Sequence, residues 1–179
     1  LAINDIGFGG MEALAGSARL PRLSVLGLAR NRVGTQRGHL FSGDGSEPRL
    51  RSLDLSENGI NAASLGAVLA SPHMRALEHL DLNRNALGNA GIEILASSEL
   101  LRSLRSLFLS SNQIGDEGAR RLARLEQLER LTVLDLAYNP IHDSGAMALL
   151  EAGNLRRLRR LGVPHLGLSL RMRRALQAR

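Results

Sequence analysis

Three aspartates, Asp54, Asp81 and Asp135, lie one or two steps of 27 residues apart, and the step between the last two lands on Phe108. Carboxylates repeated at a fixed interval could bind a cation, share a proton as an acid–base pair, or face a basic ligand. Close to them in the same period stand His79, Glu57, Arg84 and Tyr138. The catalytic readings fail for want of partners. His79 is two residues from Asp81, but the serines nearby lack a buried, oriented third group. No HExxH, no GxSxG and no phosphate-cradling loop with its lysine occurs, and the chain has no lysine at all. The five His show no ligand spacing. Cysteine is absent, which excludes a thiolate metal site, a thiol nucleophile and a disulfide. No enzymatic activity, metal or cofactor is therefore expected. Acids grouped with an aromatic residue suit a docking surface instead.

What positions these residues is the period itself. Asn4, Asn31, Asn58, Asn85, Asn112 and Asn139 fall 27 residues apart with no insertion. In the same register run Leu23, Leu50, Leu77, Leu104, Leu131 and Leu158, then Leu26 to Leu161, then Leu28 to Leu136 ending in Val163. A further apolar ladder, Ile6, Val33, Ile60, Leu87, Ile114 and Ile141, follows each Asn by two residues. Self-similarity at such a period is the signature of a solenoid whose units stack because none can bury its apolar side alone.

Each unit holds two periodicities. The LxL step alternates apolar with other residues, as a short half-buried strand does. The stretch from Asp116 to Leu128 places Ala119, Leu122, Ala123 and Leu128 near helical spacing and predicts one helix with an apolar face. Asn89, Asp116 and Asp143 occupy equivalent places and are expected to be the N-caps of their own helices, with Thr35 a weaker member. Gly10, Gly91, Gly118 and Gly145 follow two residues later, where a missing side chain would let helix and strand layer approach. The Asn ladder has a structural reason, since an amide can donate to and accept from the inward-pointing backbone of a turn at once.

These residues, LxxLxLxxNxIGxxGAxxLA, resemble the leucine-rich repeat, in its ribonuclease-inhibitor-like subtype with a full helix on the convex side. The resemblance implies an α/β horseshoe solenoid, with a parallel β-sheet on the concave side and helices on the convex side. It covers residues 1–179 as a single domain of about seven units, the first truncated and the last, 154–179, degenerate. Fold alone does not imply function.

Several units depart from the pattern. Leu1 is already the second Leu of an LxL step, so the chain reads as a slice of a longer protein, its first helix near Gly10–Ala18. In the second unit Arg37 replaces the Gly, Phe41 replaces a core Leu, and Gly43–Pro48 reads as an open loop. In the last, Leu166 replaces the ladder Asn. From Asn154 to Arg179 there are eight Arg and no acid, whereas the other residues hold 15 Arg against 17 acids. The whole net charge of +6 thus comes from this end. It reads as a terminal cap made soluble by charge, or as an anion or nucleic-acid patch; no aromatic residue is interleaved with the Arg to stack bases. No apolar run is long enough to cross a bilayer, and no membrane partner is expected. The absence of cysteine-bonded caps suggests an intracellular, cytoplasmic protein, and exclusive use of Arg suggests a bacterial source.

Strand side chains alternate in and out, so the leucines face inward and a central row, Gly27, Asp54, Asp81, Phe108, Asp135 and Gly162, faces outward. Like charges on neighbouring strands repel and add nothing to the core, which favours binding over stabilisation. The expected function is protein–protein recognition on the concave face, with Phe108 and Tyr138 as apolar anchors. Asp54, Glu57, His79, Asp81, Arg84 and Asp135 would surround them and meet a basic partner. The alternatives are a structural or autoregulatory spacer, and anion or nucleic-acid binding through the Arg-rich unit.

Overall fold

A computed structural model describes residues 1–7, 10, 14, 23–35, 50–70, 74–164 and 166–177. The helix expected near Gly10–Ala18, apart from Gly10 and Leu14, lies outside the described residues, as do Arg37, Phe41 and the Gly43–Pro48 loop. Six strands of three residues form one parallel sheet in chain order: β1 (Val25–Gly27), β2 (Ser52–Asp54), β3 (His79–Asp81), β4 (Ser106–Phe108), β5 (Val133–Asp135) and β6 (Arg160–Gly162). The pairing advances by the sequence period at every strand: Leu26 meets Leu53, which meets Leu80, and so on to Leu161. The chain is thus an α/β solenoid of stacked strand–helix units. Strands this short make few ladder bonds, and the pairing is prolonged by backbone bonds beyond them, such as Leu55 N–H to Asp81 O at 2.8 Å and Glu57 N–H to Asn83 O at 2.9 Å.

The core lies between the sheet and five helices: α1 (Ala62–Leu69), α2 (Gly88–Ala96), α3 (Asp116–Leu122), α4 (Asp143–Glu151) and α5 (Leu170–Gln177). Leu28, Leu55, Leu82, Leu109 and Leu136 have no exposed surface, and the Ile60, Leu87, Ile114 and Ile141 ladder is equally closed. The helices are shorter than the apolar spacing suggests. α3 stops at Leu122, and a separate 3-10 turn, Glu126–Leu128, carries the chain back to the sheet. The break follows from packing: Leu125 turns extended, at φ −83° and ψ 100°, and is buried there.

Between units the ladder asparagines do most of the joining. Asn85 accepts the N–H groups of Asn58 and Ile60, at 3.1 and 2.9 Å, from the unit before it. Its amide donates to Leu55 O of that unit and to Leu82 O and Asn83 O of its own. Asn139 repeats the arrangement on Asn112, Ile114 and Leu109. One oxygen is left over: Oδ1 of the fully buried Asn112 has no partner among the described residues. In the turn it should receive, Leu87 is already helical and Gly88 sits at φ 58°, so the N–H groups do not reach it.

The expected N-caps are corrected. Asn89, Asp116 and Asp143 lie inside their helices and cap the helix of the following unit. Asn89 Oδ1 accepts from Gly115 and Gly118 N–H, at 2.9 and 3.1 Å. Asp116 Oδ1 accepts from His142 and Gly145 N–H at 2.7 and 3.1 Å, and its Oδ2 accepts from Ser144 Oγ at 2.6 Å. Asp143 accepts from Ser169 N–H at 2.8 Å. Asn61 caps its own helix, in a box with Ser64, and Ser169 Oγ likewise accepts from Met172 N–H at 3.2 Å. The glycine that follows is small for the same reason: a Cβ on Gly145 would meet Asp116 Oδ1 at 2.5 Å. It makes room for the neighbour's carboxylate as well as for the Ile141 side chain beneath it.

Two measurements test this stitching. Asn85→Ala strands several buried backbone groups and should lower the unfolding free energy by about 3 kcal/mol or more, read from urea denaturation. Asn4→Ala, whose bonds are exposed, should stay within about 0.5 kcal/mol. Burial works against the Asp116 charge, but the donors Ser144, His142 and Gly145 outweigh it and hold the carboxyl below its ordinary range. The hydroxyl and N–H of Ser169 hold Asp143 low as well. A depressed carboxyl stabilises above its unfolded pKa, and that contribution is lost as pH falls towards the folded value. Thermal melting of Asp116→Asn should therefore lose less stability than wild type on acidification below about pH 4.

Candidate partner-binding face

The outward side of the sheet is built by repetition of one local geometry. After each of β1 to β5 the chain turns through a residue in the left-handed region: Arg30, Glu57, Arg84, Ser111 and Tyr138, all with φ of 54–56°. Glycine adopts that conformation without cost, and other residues do so at a penalty of about 1 kcal/mol. Five side chains are nevertheless kept, in one row along a rim. Three of them pair across units: Glu57 lies 3.1 Å from Arg30 and 3.7 Å from Arg84. Ser111 and Tyr138 stand outside that pairing, and Tyr138 is 81% exposed.

A second rail, missed by the sequence reading, borders the other end of the strands. Glu78 sits between Arg51 and Arg105, with the Arg105 contact at 3.1 Å. The Arg51 hydrogen bond, helped by the one from Arg105 and opposed by burial, keeps the Glu78 carboxyl low. The signal is present in the sequence, as Arg, Glu and Arg at successive steps of the period.

Between the rails runs the central row. Asp54, Asp81, Phe108 and Asp135 are adjacent by strand register and all are half-buried. The aspartates, expected to repel one another and to add nothing to the core, also close turns. Each carboxylate folds back on its own strand end: Asp54 Oδ1 accepts from Ser56 N–H and Oγ, Asp81 Oδ1 from Asn83 N–H, and Asp135 Oδ1 from Ala137 N–H. Phe108 cannot do this, and Ser110 N–H is met instead by Asn83 Oδ1 of the preceding unit at 2.7 Å. Gly162 leaves space that Asp135 fills, since a Cβ there would lie 2.2 Å from its Oδ1.

Each aspartate so spends its Oδ1 on its own strand end. The cost shows at the middle of the row. Burial pushes the Asp81 carboxyl above its ordinary range, and the charges of Asp54 and Asp135 push it further, against the Asn83 N–H bond that lowers it. The structure thus brings together Asp54, Asp81, Phe108 and Asp135, and engages Glu57 and Arg84 with one another on the rim. His79 is exposed at the start of β3, and Tyr138 stands at the far end. Among the described residues no three His, Cys, Asp or Glu are placed to hold a metal. The face is an open surface. A cleft of about 660 Å³, lined by Arg102, Arg121, Arg124, Glu126 and Arg130 among others, lies instead among the helix-to-strand connections.

The buried, crowded charge yields a test. Asp81→Asn keeps the acceptor for Asn83 N–H and removes the repulsion, so it should raise stability by about 0.2–1 kcal/mol at neutral pH. A carboxyl whose folded pKa is raised costs stability above that pKa and is relieved as pH falls through it. Urea denaturation should therefore show the gain at pH 7 and show it shrinking on acidification.

Residues 48–69, 73–96, 101–123 and 130–150, together just over half of the chain, match a family model described as a leucine-rich repeat. A comparison with curated proteins gives no match. Among solved structures the chain is similar to an internalin from Listeria monocytogenes, at 26% identity and a TM-score of 0.56, over 80% of this chain. It is also similar to the human trophoblast glycoprotein 5T4, at 24% identity and a TM-score of 0.48, over 79% of this chain. The chain spans 36% of the internalin and 58% of the glycoprotein. Among the described residues no helix is long and apolar enough to cross a membrane.

Proposed function

The chain belongs to the leucine-rich repeat family, and from that premise we propose that it is a protein-binding scaffold whose concave face receives a basic segment of a partner. Binding of proteins is the general work of this family. One observation carries the more specific reading. A fold that tolerates Gly27 and Gly162 in the central row still places three aspartates there, where burial, with their mutual repulsion added, raises the Asp81 carboxyl. A partner's guanidinium or ammonium group would remove that cost on binding.

Phe108 and Tyr138 supply the apolar contribution. Phe108 lies half-buried among the acids, and exposed Tyr138 holds its strained backbone one unit further along. Asp54, Asp81 and Asp135 meet the partner's charge, while His79 and the Glu57–Arg84 pair border the contact. An open sheet face, lined among its described residues by short polar side chains around Phe108, suits a protein surface better than a small molecule, which needs a site that encloses it. The ribonuclease-inhibitor-like subtype, a bacterial source and an intracellular setting rest on the repeat length and on a composition without cysteine or lysine.

The test compares wild type with Phe108→Ala/Asp81→Asn, both checked for equal stability, as baits in lysate. A protein retained by the first should be lost by the second, because central anchors of an interface each contribute about 2 kcal/mol or more, roughly thirtyfold in affinity. Equal capture by both baits would rule out the concave face as the docking site.

A further inference from the structure

The last unit contains a surface that neither the concave face nor the stacking of repeats explains. Arginine elsewhere is largely neutralised. Arg30, Arg51, Arg84, Arg102, Arg105 and Arg121 each lie within 4 Å of a carboxylate. In the last unit, Arg156, Arg157, Arg159 and Arg160 lead into and begin β6, and Arg171, Arg173 and Arg174 ride on α5. All are exposed, and none makes an ion pair with a described residue.

A soluble cap accounts for arginines but not for the leucines beside them. Leu166 occupies the place of the ladder asparagines, of which Asn31 to Asn139 are at most 7% exposed, and is itself 87% exposed. Leu170 occupies the place of Asn89, Asp116 and Asp143, the residues that cap the next helix, and is 67% exposed. The two positions that carry polar stitching in the regular units thus carry bare apolar side chains in this one. Gly167, at φ 90°, and buried Leu168 fix the turn between them. Met172 and Leu176 turn the other side of α5 into the core, so the leucines are not spare core residues.

We infer that this unit is a peripheral docking surface for an anionic lipid bilayer. The arginines approach the headgroup charge, and Leu166 and Leu170 enter the boundary between headgroups and acyl chains. Clusters of four to eight basic residues beside an amphipathic helix are what such a surface attracts, and a shallow apolar insertion adds to the attraction. A duplex or single-stranded nucleic acid would use the arginines but leave both leucines in water, and no aromatic residue stands among them to stack a base. The contact is one of surface adhesion, since among the described residues no helix is long and apolar enough to cross the bilayer.

The experiment sediments the intact chain with vesicles of phosphatidylcholine alone and with vesicles containing added phosphatidylglycerol. Two variants at exposed positions, Leu166→Ser/Leu170→Ser and Arg171→Gln/Arg173→Gln, accompany it after circular dichroism has shown an unchanged fold. Wild type should sediment with the anionic vesicles only. The arginine variant should bind more weakly by about fivefold for each charge removed near the surface. The leucine variant should bind about tenfold more weakly. The proposal is overturned by no sedimentation, by equal sedimentation with both vesicle types, or by a leucine variant that binds like wild type. It is also overturned if duplex DNA at equal phosphate strips the protein from the vesicles, which would make the surface a nucleic-acid site.

Discussion

Everything in this molecule depends on the amide that bridges one turn to the next. Strands of three residues cannot hold a sheet together by their own ladder, and the turns that follow them point backbone N–H and C=O groups into the interior. Asn85 and Asn139 meet those groups from both sides at once, accepting from one unit and donating to two. An unmet buried amide costs about 1–3 kcal/mol, so a side chain that satisfies several of them dominates the stability of its unit. The leucines supply the bulk of apolar burial, but they would do so equally in many arrangements. The asparagine admits one spacing.

That fixed spacing also shapes the concave chemistry. Because every unit advances by the same number of residues, any side chain placed outward on one strand sits beside its counterparts on both neighbours. Charge alternation along a row then forms rails, as in Arg30–Glu57–Arg84 and Arg51–Glu78–Arg105, whereas repetition of one sign forms a crowded line. Exposed ion pairs contribute little to stability, but they hold long side chains along the borders of the sheet. The aspartates between them serve two ends. The Oδ1 atoms close the strand ends, and the charge they carry on the outward face comes at the cost of the raised Asp81 carboxyl.

The sequence made the stack legible because identical residue types returned at identical intervals. Leu26 to Leu161 and Asn31 to Asn139 define register without any knowledge of coordinates, and the strands pair as those ladders require. Local detail was harder to read. A carboxylate at a helix start looks the same whether it caps its own helix or the next, and only the geometry assigns Asp116 to Gly145. The end of α3 at Leu122 was hidden because Ala123 and Arg124 have good helix propensity; the need to bury Leu125 overrides it. At the candidate site, the outward row and its half-buried Phe108 followed from strand alternation. The turn bonds of the aspartates and the Arg–Glu rails did not, because each depends on which rotamer an exposed side chain selects.

The unit of β3 and α2 is joined more sparsely than the others, on both of its sides. Its helix receives no cap from the unit before it, because Ala62 stands where Asn89 and Asp116 stand later, and in the unit after it Asn112 Oδ1 is left unmet. A stack of repeats behaves as a chain of coupled elements whose cooperativity is set by its weakest nearest-neighbour terms. The bonds that remain, from Asn112 Nδ2 to Leu82 O and from Gly115 and Gly118 N–H to Asn89 Oδ1, keep the unit in the stack. The acidic row crosses both joints. A ligand spanning Asp54, Asp81 and Phe108 would clamp this unit to its two neighbours, so that occupancy of the concave face and the mechanical unity of the array become a single equilibrium.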